Sequence, residues 1–234
     1  MGIFEKILSF LKRTALAPMV EQYCCHLYPE KFAMIGKHTQ IGSPVTLKPE
    51  NIEMDDHTRI QNGVNMIASG GRLIVKKFSA ISSEVVIVPG GHTPTVGLPQ
   101  FLSITHINDK ERTIIVEEDC WIAARAMLLS TAHIGRGAVI GANTVISKRI
   151  PPYAVVSGNP ATIVAVRFSL EQVIEHEKIL YPEKERLPYD YLKRLYDTKY
   201  AGLKAIGTCH ISNEDIQALS VAREKYGIID YSKE

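Results

Sequence analysis

VEEDCWIAARAMLLSTAHIGRGAVIGANTVI, residues 116–146, carries an aliphatic side chain at every sixth position. Val116, Ile122, Leu128, Ile134, Ile140 and Ile146 form the series. A small residue stands four places after each of the first five: Cys120, Ala126, Ala132, Ala138 and Thr144. An amphipathic helix repeats near 3.6 residues and an exposed strand near two, so a period of six belongs to neither. It fits a parallel β-solenoid in which three short strands make one triangular coil of about eighteen residues. The anchors then point into a shared core and the small residues relieve crowding at the corners. Gly135 and Gly141, directly after two anchors, permit tight turns.

Upstream, Ile35, Ile41 and Leu47 keep the same spacing, with Gly36 and Gly42 next to the first two. A one-residue insertion resets the phase to Met54, Ile60 and Met66, and a further insertion with Gly70 and Gly71 resets it to Val75, Ile81 and Ile87. Five coils stacked at the spacing of parallel strands span about 24 Å. Between Ile87 and Val116 the rhythm stops. The stretch 88–115 is rich in Gly and Pro and too long for a corner, so it reads as a functional loop ejected from the scaffold. After Ile146, SKRIPPYAVVSGNPA predicts a Pro-rich turn and one last strand closing the coil. Ser169 caps a helix that Pro182 ends, and further helices are expected over 189–200 and 213–225. The chain therefore divides into an N-terminal helical segment (1–33), a coil (34–167) and a C-terminal helical extension (168–234).

Composition narrows the function classes. With 45% hydrophobic and 22% charged residues and a net charge of +2, the chain reads as one elaborated soluble domain. Neither bulk charge nor aromatic-basic interleaving indicates nucleic acid. Cys24, Cys25, Cys120 and Cys209 show no zinc spacing, which points to reduced thiols and a cytoplasmic setting. No apolar run reaches membrane-spanning length and no secretory signal opens the sequence. Ile3, Phe4, Ile7, Leu8 and Leu11 would share one helical face. Packing on protein is the favoured reading of that face; contact with lipid, helped by Lys6, Lys12 and Arg13, is the second.

Three motifs carry a resemblance. Gly90-Gly91-His92 opens the long loop, DCWIAA occupies 119–124, and ISKRIPPYAVVSGNPA occupies 146–161. Over about 54–165 the sequence resembles the hexapeptide-repeat acyltransferases, most closely sugar O-acetyltransferases of the galactoside, maltose and nodulation-factor type. That resemblance implies a mainly β fold, a left-handed parallel β-helix, and assembly as a homotrimer with acetyl-CoA lying between subunits. It implies His92 as general base and Asn62 as a helper of the transition state. It also implies Trp121, Ala123, Ala124, Ala142, Ser147 and Lys148 as positions facing the CoA, with no metal.

The residues themselves support these assignments unequally. Acyl transfer to a hydroxyl needs a base near neutrality, and a His on a Gly-rich outgoing loop suits it. Without the resemblance, His92 would read as a solvated surface residue, and His106 competes within the same loop. Asn62 could donate to a developing oxyanion. It could equally bond its own backbone at a corner, and Asn65 is close by. Ala124 and Ala142 lie one coil apart, where small side chains would let a thin ligand lie on the backbone; plain corner packing is the alternative. Thr162 and Ala165 stand where the resembled enzymes carry basic residues, leaving Arg149 or Arg167 to meet phosphate. A sugar hydroxyl of a surface polysaccharide or its precursor is the expected acceptor, a sugar amine the next choice. A zinc hydratase of the γ-carbonic anhydrase kind would need three His ligands, for which His92, His106 and His133 are available. A non-catalytic scaffold is the third reading.

Overall fold

The computed structural model describes Phe10, Thr14, residues 16–67 and residues 70–233. The amphipathic face of Ile3 to Leu11 lies outside the described residues. Pro18 sits in the first turn of a short helix, Ala17–Tyr23, which leads through two 3-10 turns to the first strand.

The chain then winds through three parallel sheets in rotation. The first contains Met34–Ile35, Ile52–Met54, Arg72–Val75, Thr113–Val116, His133–Ile134 and Arg149–Ile150. The second contains Gln40–Ile41, Arg59–Ile60, Ala80–Ile81, Trp121–Ile122, Val139–Ile140 and Ala154–Ser157, and the third Asn65–Met66, Val86–Val88, Met127–Leu129 and Val145–Ile146. Each circuit places one anchor directly over the last. On the second sheet Ile41, Ile60, Ile81, Ile122 and Ile140 are successive register partners. On the first, Met54, Val75, Val116 and Ile134 stack in the same way. Strands of two to five residues suffice because each is buried by its neighbours above and below, not by its own length.

Two features differ from the sequence expectation. Leu47 does not begin a strand of the third sheet; that side of the first coil makes only an isolated bridge, Thr46 to Asn65. Past Ile146 there are three strands instead of one. Ile150 pairs with Ile134 after a gap of sixteen residues, so the coil continues on a shortened circuit before Thr162–Val166 folds back antiparallel onto Ala154–Ser157.

The glycines after the anchors also act differently than a turn reading suggests. A Cβ on Gly36 would stand 2.4 Å from the Asp56 amide nitrogen, and one on Gly42 2.4 Å from that of Asn62. They admit the next coil's backbone. The left-handed residue of each corner is instead the third after the anchor, as at His57 (φ 59°), Phe78 (φ 66°), Asp119 (φ 55°) and Arg125 (φ 61°). The fourth points inward: Thr58, Ser79, Cys120, Ala138 and Thr144 are all buried. Ser79 Oγ donates to the Glu117 carbonyl at 2.5 Å and accepts from the Cys120 amide at 2.9 Å, satisfying buried backbone between coils.

The C-terminal helices Leu170–Leu180, Tyr189–Lys199 and Asn213–Tyr226 follow the coil. Ser169 forms a capping box with Gln172 at the first. None of the helices among the described residues is long and apolar enough to cross a membrane. Arg136, on the coil, ties the extension down. It donates to Glu118 at 3.1 Å and to Glu177 at 2.9 Å, and its guanidinium lies 4.1 Å from the Tyr181 ring. Glu177 is 2% exposed and also accepts from Tyr153 Oη at 2.6 Å. Burial, reinforced by that carboxylate, holds the Tyr153 phenol well above its ordinary pKa, so it stays a donor. Removing one partner of a buried pair strands the other charge. Arg136→Met is therefore expected to cost about 3–5 kcal/mol in urea unfolding. Adding Glu177→Gln should recover much of it; no recovery would mean that the pairing is not what the arginine contributes.

Candidate active site

The loop that leaves Val88 and returns at Thr113 carries one 3-10 segment, Gln100–Thr105, and folds its two histidines together. His92 Nδ1 lies 2.8 Å and His106 Nδ1 3.0 Å from the same oxygen, Asp109 Oδ2, and the rings stack with centroids 5.6 Å apart. The other oxygen of Asp109 accepts from the Thr93 amide at 3.1 Å, so the carboxylate clamps the base of the loop next to His92. Burial works to raise the Asp109 pKa, but hydrogen bonds from His106, His92 and the Thr93 amide hold it below the usual aspartate range. With a carboxylate on Nδ1, each ring keeps its proton there and leaves Nε2 free as a base. His92 has the stronger hold, since its neighbour Thr93 binds the same carboxylate.

Asp109 was not singled out from the sequence. A carboxylate three residues after His106 was the available signal, but its pairing with His92 spans seventeen residues of irregular chain. The ligand atoms of His92, His106 and Asp109 lie within 4.8 Å of one another, compact enough for a cation. Their separations of 2.8 and 3.0 Å are those of hydrogen bonds. His133 is elsewhere: its Nε2 lies 2.6 Å from Glu117 Oε1 on the first sheet, so the three histidines of a zinc site are not gathered.

The remaining candidates fall on two corners of the coil. Register places Asn62, Ser83, Ala124 and Ala142 in one column where the second sheet turns into the third. Ser83 Oγ donates to Asn62 Oδ1 at 3.0 Å, and the Asn62 side chain is exposed. Ala123 is half-buried, while Ala124 and Ala142 are exposed, and the Asn143 amide donates to the Ala124 carbonyl at 3.1 Å. Trp121, 53% exposed on the second sheet, donates from Nε1 to Ser82 Oγ at 3.2 Å. Ser147 and Lys148 are exposed on the other corner, between the third and first sheets, the side from which the His92 loop also leaves. One chain thus keeps the alanine column with Asn62 apart from His92, Ser147 and Lys148. Arg167 is committed elsewhere, bonding Asp119 at 2.8 Å.

The bacterial transferase hexapeptide (six repeats) family matches residues 113–148. That stretch of the coil thus carries the hexapeptide repeat of this family. A chloramphenicol acetyltransferase of Klebsiella aerogenes is 37% identical over 75 residues, covering 32% of this chain and 36% of that protein. The chain therefore spans only about a third of the length of that relative. The Escherichia coli protein WcaF, provisionally assigned as an acetyltransferase of colanic acid biosynthesis, is 26% identical over 140 residues, 59% of this chain and 72% of that one. A galactoside acetyltransferase solved with coenzyme A superposes with a TM-score of 0.53 at 17% identity, covering 79% of this chain and 86% of that one. A hexapeptide-repeat acetyltransferase of Vibrio cholerae, solved with acetyl coenzyme A, gives 0.52 at 21% identity over 71% and 98%. At these identities the two structures establish a shared fold.

Proposed function

We propose that this chain is an acetyl-CoA-dependent acetyltransferase acting on a sugar hydroxyl of a surface polysaccharide or its precursor, built on a left-handed parallel β-helix. The observation that carries the reading is His92, held through Nδ1 by Asp109 at 2.8 Å on the loop leaving the coil. Acetyl-CoA supplies the acyl group as a thioester. His92 Nε2 takes the proton from the acceptor hydroxyl as its oxygen bonds to the acyl carbon, and Asp109 stabilises the imidazolium. The exposed amide of Asn62 suits the developing oxyanion. His92 then returns its proton to the sulfur as the C–S bond breaks, leaving an ester and free CoA. The polysaccharide acceptor is favoured by the likeness to WcaF, which covers more of this chain than the antibiotic-modifying relative does.

The same proposal requires a second copy. Asn62 and the alanine column lie on a different corner from His92, so one complete site needs two subunits, which a homotrimer supplies three times. Val96 and Phe101 on the loop are 103% and 81% exposed in the single chain, an apolar surface that a neighbouring subunit would cover. The alanine column gives the direct test. Ala124→Leu or Ala142→Leu adds bulk outside the core, so stability should hardly change. Calorimetric titration of CoA should show about tenfold or greater loss in either, on the scale of a 1–3 kcal/mol steric insertion. The double variant should be little worse than a single one, because both obstruct one path. Unchanged CoA affinity in both folded single variants would sink the reading.

A further inference from the structure

The coil ends in a cleft of about 310 Å³ between its last first-sheet strand and the helix Tyr189–Lys199. Arg149 enters from the strand, and Arg194 and Lys199 from the helix. Pro151, Tyr191 and Leu195 form the apolar part of the wall. The helix that carries Arg194 and Lys199 is held to the coil from below. Leu192 and Leu195 are buried, and Tyr200 Oη donates to the Pro152 carbonyl at 2.6 Å, pinning the helix end to the coil. None of the three cations forms an ion pair among the described residues, a state that Arg59, Arg112 and Arg186 share outside the cleft, whereas Arg72, Arg125, Arg136, Arg167 and Arg223 are paired. The acid nearest in sequence, Asp197, is engaged by Lys193 at 2.8 Å. Asp190, one turn before Arg194, forms no ion pair with it.

Three cations without an ion-pair partner line one cleft from two elements, and guanidinium forks match phosphate oxygens. We propose that this cleft binds the phosphate of a nucleotide-bearing ligand, its ring stacked or laid against Tyr191 and Pro151. Two sources share that chemistry: the nucleotide end of CoA, and a sugar nucleotide offered as acceptor. The first rests on the acetyl-CoA reading. Lys148 immediately precedes Arg149, and Thr162 and Ala165 leave no cation on the closing strand. The second does not rest on it.

The test is calorimetry on the full chain with CoA, 3′-dephospho-CoA and uridine diphosphate. The proteins are wild type, Arg194→Gln/Lys199→Gln, and Arg149→Gln, whose exposed edge position spares the helix. The expected result is an affinity loss of about tenfold or more in the variants for at least one probe. A loss for CoA but not for 3′-dephospho-CoA assigns the cleft to the CoA phosphate; a loss for uridine diphosphate alone assigns it to the acceptor. Equal behaviour of wild type and variants toward every probe, absence of binding included, overturns the proposal. If Ala142→Leu still lowers CoA affinity in that case, the acetyl-CoA reading stands and only the cleft assignment falls.

Discussion

His92→Ala is expected to lower acetyl transfer about 10²–10⁴-fold, the range for losing a general base, while CoA affinity and unfolding midpoint stay near wild type. The side chain is 45% exposed on an ejected loop, so its removal leaves no cavity in the coil. Its partner carboxylate keeps two other donors, His106 Nδ1 and the Thr93 amide. That sharing makes His106→Ala the necessary companion. It should retain most turnover, since His92 would then hold Asp109 alone. Asp109→Asn should lower the rate by less than His92→Ala, because an amide oxygen still accepts a proton from Nδ1 but does not balance the imidazolium charge. The pH dependence has a definite sign. Asp109 is held below its ordinary pKa, so its hold on the loop is complete above the usual aspartate range and is lost as pH falls through the lower, folded value. Loop order, followed by amide exchange at Thr93, should therefore survive into more acid solution than in a chain with an ordinary aspartate. Near-wild-type turnover of His92→Ala together with a dead His106→Ala would move the base to His106.

What the sequence disclosed follows from how its periodicity is generated. An anchor every sixth residue is a direct imprint of one inward side chain per strand, so the stacking of Ile60, Ile81, Ile122 and Ile140 is legible in the sequence. The phase resets were legible too, because an insertion between strands shifts the anchor series without breaking it. The shortened last circuit was not. Ile150 and Val156 keep the six-residue step between themselves but fall out of phase with the series, because the corner from Ile146 to Ile150 is two residues short of it. The glycine positions were visible but their purpose was not: close approach of a neighbouring coil is a tertiary fact, and Gly36 and Gly42 meet residues about twenty positions away.

The candidate site divides along the same line. Ala124 and Ala142 fall in one column because eighteen residues make one coil there, whereas Asn62 joins that column only through the register, across two longer circuits. The loop has no period, and its organising residue, Asp109, emerged only with the fold. Arg194 and Lys199 were invisible as site residues for a further reason. They sit on a helix whose docking depends on buried Leu192, Leu195 and Tyr200, and no spacing rule relates that helix to Arg149.

The register itself is open to a single harsh substitution. Ile140→Asp is expected to unfold the chain or abolish its assembly. Ile140 is 0% exposed, lies between Ile122 below and Val156 above, and forms part of the apolar column on which every second-sheet strand stacks. The buried polar groups of the coil are already committed: Ser79 bridges the Glu117 carbonyl and the Cys120 amide, and Thr58 donates to the Asp55 carbonyl at 2.8 Å. A carboxylate at position 140 would therefore find neither water nor a free donor. An unpaired buried charge costs several kcal/mol even after relaxation, against a total domain stability of about 5–15 kcal/mol. Isosteric loss of one methylene gives the control: Ile140→Val should cost about 0.5–1.5 kcal/mol and keep the fold. Circular dichroism during urea unfolding, with size-exclusion chromatography for assembly, reads both variants on one scale. If Ile140→Asp were soluble, assembled and as stable as Ile140→Val, the side chain would have to point outward. The six-residue register, and with it the column that aligns Asn62 with Ala124 and Ala142, would then be wrong by one residue.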